Sequence, residues 1–308
     1  MPMKVGIVSN SKICIPLLSY LSSIKAEVIL YFGKSAHADV SVNDMAGFCR
    51  MNYIPFYAED DKKELYNWQQ LNEPDIIFIT GYSHKIDIKE LSGVPKGTYN
   101  IHFGKLPQYR GPSPVFWQLK NGEKELGLCI HQLTNKLDSG AVTWEQNIKN
   151  EEYHTYNYIN QAFSQLQVQG VAQIIATLNS RQTPYNKIQD ETKARYYKKP
   201  QLADVMINWD TMDAKQILDL IKACTSWNNG ASTLINGLEL KILDAEPTLA
   251  EVDSILGSIN IANNKFNVGC IGNQALNINF FNINNTCIPA RHACFYGLKT
   301  GQIFISKI

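Results

Sequence analysis

The chain is poor in the features that mark several common protein classes. Its 308 residues include seven cysteines, Cys14, Cys49, Cys129, Cys224, Cys270, Cys287 and Cys294, and no two fall in a Cys-x-x-Cys spacing. That argues against a zinc framework or a redox dithiol, and reduced core thiols are the expectation. No apolar run is long enough to span a bilayer. Met1-Pro2-Met3-Lys4-Val5-Gly6 enters a strand-like stretch without the longer apolar segment and small-residue cleavage site of a signal peptide. A cytoplasmic protein with no membrane partner and no metal is therefore expected, and the Asn284-Asn285-Thr286 sequon then carries no glycan. An excess of charge is missing too, because 29 Lys and Arg face 28 Asp and Glu for a net charge of +1. Any nucleic acid or membrane must then be held by a local patch. Finally, Val5-Gly6-Ile7-Val8-Ser9-Asn10-Ser11 lacks the Gly-x-Gly-x-x-Gly turn that lets a pyrophosphate reach a helix, which argues against a nucleotide-dependent dehydrogenase.

What remains is an ordinary folded chain, with 44% hydrophobic, 19% charged and 10% aromatic residues and a length that favours two domains. Val5–Val8, Val28–Phe32, Asp75–Thr80, Gly97–His102 and Leu126–Leu133 are short apolar runs separated by helix-compatible segments. That rhythm predicts βα units in a Rossmann-like, doubly wound parallel α/β sheet. Ser113-Pro114 followed by Val115–Lys120 and Asn121-Gly122 predicts a short helix with a Ser cap and a marked stop. Apolar residues at helical spacing from Tyr156 to Leu178 predict a long helix, and Ala214–Cys224 predicts another. Leu238–Leu243, Lys265–Cys270, Leu276–Phe281 and Gln302–Ile305 read as short strands of a small OB-like β-barrel. The predicted layout is a first domain over 1–185, a linker over 186–205 and a barrel domain over 206–308. Trp209 and Trp227 are expected at the domain junction.

Asn100 and His102 close the run Gly97–His102. Two residues apart on a strand, they share a face, and ligands of open α/β sheets sit beyond the carboxyl ends of strands. A carboxamide can donate to a developing oxyanion, and a neutral imidazole can take a proton from an amine near pH 7. Asp138, in a loop after Leu126–Leu133, is the candidate carboxylate that raises the basicity of His102 and orients it. His131 reads as a satisfied core histidine, and His84 and His154 have no carboxylate in sequence reach.

Asn100-Ile101-His102, Leu106-Pro107-Gln108-Tyr109-Arg110-Gly111 and Leu137-Asp138-Ser139-Gly140 resemble the signature of the 10-formyltetrahydrofolate-dependent formyltransferases. The tail resembles that family's barrel domain at Ile207-Asn208-Trp209-Asp210, Ser226-Trp227, Gly230-Ala231 and Lys241-Ile242-Leu243-Asp244-Ala245. The resemblance implies Asn100, His102 and Asp138 as catalytic residues and 10-formyltetrahydrofolate as formyl donor. It also implies a folate pocket rimmed by Gly81, Tyr82, Leu106, Pro107, Ser139, Gly140 and Val142. Where the family usually has Ser-Leu-Leu-Pro, this chain has Gly104-Lys105-Leu106-Pro107. Lys105 reads either as a solvated lysine or as a contact to an anionic acceptor. Arg110 is a candidate substrate contact too, although a loop-holding role is the better reading.

Methionyl-tRNA formyltransferases carry a long basic insertion after the second strand, whereas Gly33–Val40 here is short and has one lysine. Residues 201–308 hold seven Lys and Arg against nine Asp and Glu. Affinity for nucleic acid is largely electrostatic, so a small amine, such as an amino-sugar nucleotide or a carrier-tethered amine, is the preferred partner over tRNA. The basic cluster Lys193, Arg195, Lys198 and Lys199 is the argument for tRNA. Other readings are a formyltetrahydrofolate hydrolase and a non-catalytic folate- or nucleotide-binding regulator.

Overall fold

The computed structural model describes residues 3–34, 40–61, 64–91, 93–249 and 255–306. Most of the Gly33–Val40 stretch, residues 35–39, therefore lies outside the described residues. The chain forms two compact units. The first gathers residues 1–114, 127–148 and 160–197, and the second gathers 115–126, 149–159 and 198–308. Residues 186–197, drawn above as linker, thus cluster with the first unit.

Regular structure begins with β1 (Lys4–Ser9), α1 (Ile15–Ser23), β2 (Glu27–Phe32), α2 (Val42–Met51), β3 (Phe56–Ala58), α3 (Glu64–Asn72), β4 (Ile76–Thr80) and β5 (Thr98–His102). It continues through α4 (Pro114–Lys120), β6 (Glu125–Gln132), β7 (Val142–Lys149) and α5 (Tyr156–Asn179). β1, β2 and β4 are near-continuous apolar runs because both sheet faces are covered, as parallel strands require. The seven strands lie in the order β3-β2-β1-β4-β5-β6-β7. From β3 to β5 all pairings are parallel.

β6 departs from the wholly parallel sheet expected, because it runs antiparallel to β5. A parallel return needs a crossover that carries the chain back along the whole strand, and the only α-helix between β5 and β6 is α4. Its seven residues span roughly 10 Å, against roughly 26 Å for the eight of β6. The antiparallel register sets Asn100 opposite His131 and His102 opposite Cys129.

The second unit holds α6 (Leu202–Val205), α7 (Ala214–Cys224), β8 (Ala231–Ile235), β9 (Leu238–Thr248), β10 (Ile259–Ala262), β11 (Lys265–Cys270), β12 (Gln274–Ile283) and β13 (Thr286–Pro289). α7 starts at a capping box made by Asp213 and Gln216 and buries Ile217, Leu220, Ile221 and Cys224 on one face. The sheet order is β10-β11-β12-β9-β8, with β13 paired to β12, and every pairing is antiparallel. Gln302–Ile305 forms isolated bridges in place of the expected strand. Ile303 pairs Ser258 just before β10 and Ile305 pairs Leu234 on β8, so one short segment meets both ends of the sheet.

Phe266, Phe281 and Phe304 fill this unit's core, and Trp209, expected at the junction, lies there too. Its ring stacks on Phe304 at 5.4 Å, and its indole N–H donates to Thr233 Oγ1 at 2.9 Å. Trp227 packs its ring 5.5 Å from Phe116 in the same unit. α4 matches its expected span, but Ser113 sits at φ +58°, outside the extended conformation of a capping residue. Five cysteines are buried as expected, whereas Cys287 and Cys294 are exposed. Among the described residues no helix is long and apolar enough to cross a membrane.

Phe266 is fully buried between Phe281 and Phe304, with ring centroids 6.0 Å from each. Phe266→Ala is expected to cost about 3–5 kcal/mol, read as a lowered urea midpoint at unchanged slope. A loss under about 1 kcal/mol would contradict this packing.

Candidate functional site

β4 and β5 end side by side, with Thr80 opposite Ile101, so the loop at Gly81 leaves the sheet next to Asn100 and His102. Asn100 and His102 project to the same face of β5, and the antiparallel partner adds His131 and Cys129 to that face. Asp138 reaches the cluster from the turn between β6 and β7.

The center is nearly dry: His102 is 6% exposed, Asp138 7% and His131 1%. A buried carboxylate needs compensation, and Asp138 has several partners. Its Oδ2 accepts from the Gly111 N–H at 2.8 Å and lies 3.7 Å from His102 Nδ1. Its Oδ1 accepts from Asn100 Nδ2 at 3.2 Å and lies 3.4 Å from His131 Nε2. The other end of the His102 ring donates from Nε2 to the Tyr109 carbonyl at 2.6 Å, since a carbonyl can only accept. The same rule puts the His131 proton on Nδ1, facing the Gln132 carbonyl at 2.9 Å. His131 Nε2 then accepts the second hydrogen of Asn100 Nδ2 at 3.1 Å.

The cluster therefore brings Asn100, His102 and Asp138 together, with one difference from the expected roles. Both amide hydrogens of Asn100 are engaged, so an oxyanion would have to take the place of one of these partners. Burial is the main influence on His102 and pushes its pKa below 6.5, against the opposing pull of Asp138. Burial alone would raise Asp138, but His102, His131 and the Gly111 N–H together hold its carboxyl below the ordinary carboxylate range. Near pH 7 the pair is a neutral imidazole beside a carboxylate.

Two glycines make this geometry possible. A Cβ on Gly104 would stand 2.8 Å from His102 Nε2, so glycine at this position leaves room for the ring where it lies. A Cβ on Gly140 would meet the Gln132 carbonyl at 1.8 Å, so the turn could not close against β6 with any other residue. Asp138 itself holds φ +48°, a left-handed conformation its surroundings must enforce.

The remaining candidates divide. Leu106 and Val142, expected at a folate rim, are buried together with Cys129, the partner of His102, as an apolar wall on the cluster's face. The Pro107 carbonyl accepts from the Arg195 N–H at 3.1 Å. Ser139 turns its hydroxyl onto the Lys136 carbonyl at 2.9 Å. Gly81 takes φ +61°, and its carbonyl accepts from the Asn10 N–H at 3.2 Å. Tyr82 donates to buried Glu59 at 2.5 Å, and burial with that carboxylate pushes its phenol well above the usual range. Lys105 is half-buried, and its stem lies over Gly127 of β6.

Arg110 corrects the substrate-contact expectation. It is fully buried and every guanidinium N–H is taken. Nε and Nη2 reach Gln189 Oε1 at 3.1 and 2.8 Å, Nη1 reaches Glu191 at 3.2 Å and Tyr196 at 2.6 Å, and Nη2 reaches Glu191 at 2.6 Å. A guanidinium with no free donor holds its loop and has nothing left for a substrate. Arg110 and Lys136 together hold Glu191 down at about 2.

Sequence reasoning missed four parts of this cluster: His131, Gln189, and the backbone groups of Tyr109 and Gly111. His131 is a satisfied buried histidine, as read, but its partners belong to the cluster. Only the antiparallel register, which the β-run pattern does not encode, would have revealed it. Among the described residues no group of three His, Cys, Asp or Glu side chains could hold a metal.

Residues 32–175 match a family model described as formyl transferase, and residues 201–285 match that of the formyl transferase C-terminal domain. A methionyl-tRNA formyltransferase of Thermotoga neapolitana is 28% identical over 185 residues, covering 60% of this chain and 58% of the relative's length. HypX from Aquifex aeolicus, solved with tetrahydrofolic acid, superposes with a TM-score of 0.68 at 18% identity, over 97% of this chain and 48% of that one. An N-formyltransferase from Helicobacter canadensis, solved with folinic acid and dTDP-3-aminofucose, gives a TM-score of 0.68 at 17% identity, over 90% of this chain and 99% of that one. At these identities the two structures establish the shared fold.

The cluster makes stability pH-dependent. With its folded pKa lowered from 6.5, His102 leaves the unfolded chain binding the extra proton on acidification, so stability falls below about pH 6.5. Asp138, lowered from 3.8, adds stability that is present above about pH 4 and is lost as pH falls further. The urea midpoint should decline from about pH 6.5 to 5, less so in His102→Asn, and again below about pH 4. A variant that declines over the first interval as steeply as the parent would contradict this assignment.

Proposed function

The chain belongs to the formyl transferase family, and from that premise we propose that it moves the formyl group of 10-formyltetrahydrofolate to a primary amine. The observation that carries the reading is the buried cluster of Asn100, His102 and Asp138, which lies within the stretch matching the formyl transferase model. In this reading the amine nitrogen attacks the formyl carbon, and the carbon–N10 bond of the folate breaks. The proton lost by the amine passes through His102 to N10, so tetrahydrofolate and a formamide leave with no redox change. Leu106, Cys129 and Val142, with Gly81, Tyr82, Pro107, Ser139 and Gly140, would hold the pterin, and an apolar cluster beside polar backbone suits a flat heterocycle.

His102 can take the amine proton on Nε2 only if the hydrogen now facing Tyr109 moves to Nδ1, where Asp138 Oδ2 lies 3.7 Å away. The imidazolium would then lie between a carboxylate and a carbonyl, both acceptors of its hydrogens. The developing oxyanion takes a hydrogen from Asn100 in exchange for His131 or Asp138.

The acceptor is a small amine, such as an amino-sugar nucleotide or a carrier-tethered amine. Support comes from the acidic balance of residues 201–308 and from the basic cluster, where Lys193 pairs with Asp190 at 3.3 Å and Lys198 with Asp204 at 3.9 Å. Ion-paired lysines offer little field to a phosphate backbone. A methionyl-tRNA acceptor is the second reading, favoured by the Thermotoga relative.

The test follows tetrahydrofolate release from 10-formyltetrahydrofolate with amino-sugar nucleotides, carrier-linked amines and methionyl-tRNA in parallel. Formylation of a small amine is expected, with kcat lowered about 100-fold or more in His102→Asn and Asp138→Asn. Turnover with tRNA alone would reverse the acceptor ranking. Formate release without any amine would indicate a hydrolase, and folate binding without turnover a regulator.

A further inference from the structure

The segment from Lys187 to Tyr197 reads in sequence as a polar tether, yet its backbone is sewn onto both loops that build the cluster. Lys187 exchanges hydrogen bonds with Val142 at 2.8 and 2.9 Å. Arg195 donates its N–H to Pro107, Arg110 donates its N–H to Arg195, and Tyr197 donates its N–H to Arg110, at 3.1, 3.0 and 2.8 Å. Between these two seams lies Gln189, 7% exposed, with its whole carboxamide engaged. Nε2 donates to the carbonyls of Asp138 at 2.9 Å and Gly140 at 2.7 Å, while Oε1 accepts from the Nε and Nη2 of Arg110. No flipped amide would serve, since carbonyls need the donor end and a guanidinium needs the acceptor end.

We propose that Gln189 is a positioning residue for the formyl transfer, holding the backbone of Asp138 so that its carboxylate stays aimed at His102. The proposal rests on the reading of His102 and Asp138 given above. Asp138 is anchored twice to the same loop: Gly111 holds its carboxylate directly, and Gln189 ties its carbonyl to Arg110. The residue has a left-handed φ of +48°, which an aspartate abandons readily once released. Losing the Gln189 amide would leave the carboxylate on a turn free to drift, and a shift of about 1 Å at a reacting pair can cost about 100-fold in rate.

Two substitutions separate positioning from simple support. Gln189→Glu keeps acceptors for Arg110 but presents oxygen to the two carbonyls, and Gln189→Met removes both ends at similar volume. Both are expected to lower kcat about 10- to 100-fold with KM for donor and acceptor within about threefold of the parent. The acidic limb of the kcat profile should move to lower pH as Asp138 loses its hold on His102. A kcat and pH profile within about twofold of the parent would overturn the proposal. So would a fall in kcat that matches a loss of folded protein while the pH profile stays put. Should both Gln189 variants fail to fold, Glu191→Gln, which loosens Arg110 from the exposed side, is read by the same criteria and should show a smaller change in the same directions. An inactive parent protein would instead sink the reading of His102 and Asp138, which keeps the two failures distinct.

Discussion

A carboxylate sealed away from water is the constraint that orders the first unit. Left alone, the Asp138 charge would cost several kcal/mol, and the chain offsets this with the Gly111 N–H and the Asn100 amide, while the rings of His102 and His131 stand beside it. These groups come from three places: β5, β6, and the loop after β5. Because the charge must be met from several sides, the turn and the two strands are held in one arrangement, and the Lys187–Tyr197 segment is bonded as a strap to the same loops.

That arrangement decides what the imidazole can do. His102 is buried enough to stay neutral near neutral pH, yet it faces an anion that can stabilise the cation formed when it takes a proton. A base must accept a proton readily and release it again, and these opposed influences keep both steps within reach. Arg110, by contrast, has all its donors satisfied and belongs to the frame. Its place just behind the Tyr109 carbonyl and ahead of the Gly111 N–H means that holding this arginine also holds two backbone groups of the cluster.

Much of this could be read from residue order, for identifiable reasons. Parallel buried strands announce themselves as apolar runs, and α5 and α7 announce themselves through helical spacing, so their spans were close to those observed. The pairing of Asn100 with His102 followed from the two-residue period of a strand. The direction of β6 did not follow, because a buried strand reads alike in either orientation, and with it went the meeting of His131 and Asn100. β3 has only three residues, too few to show a period. The strap was invisible for a deeper reason. Its contacts join Gln189 and Arg195 to loops tens of residues away, and polar side chains in irregular backbone leave no periodic trace.

The central claim is that the cluster holds His102 as a neutral imidazole beside the Asp138 carboxylate, with its one hydrogen facing the Tyr109 carbonyl. Nitrogen NMR of histidine-labelled protein at pH 7, with His102 assigned by comparison with His102→Asn, tests it most directly. The account predicts a neutral ring carrying its hydrogen on Nε2. A ring protonated on both nitrogens at that pH, or one carrying its hydrogen on Nδ1 in the free protein, would contradict it.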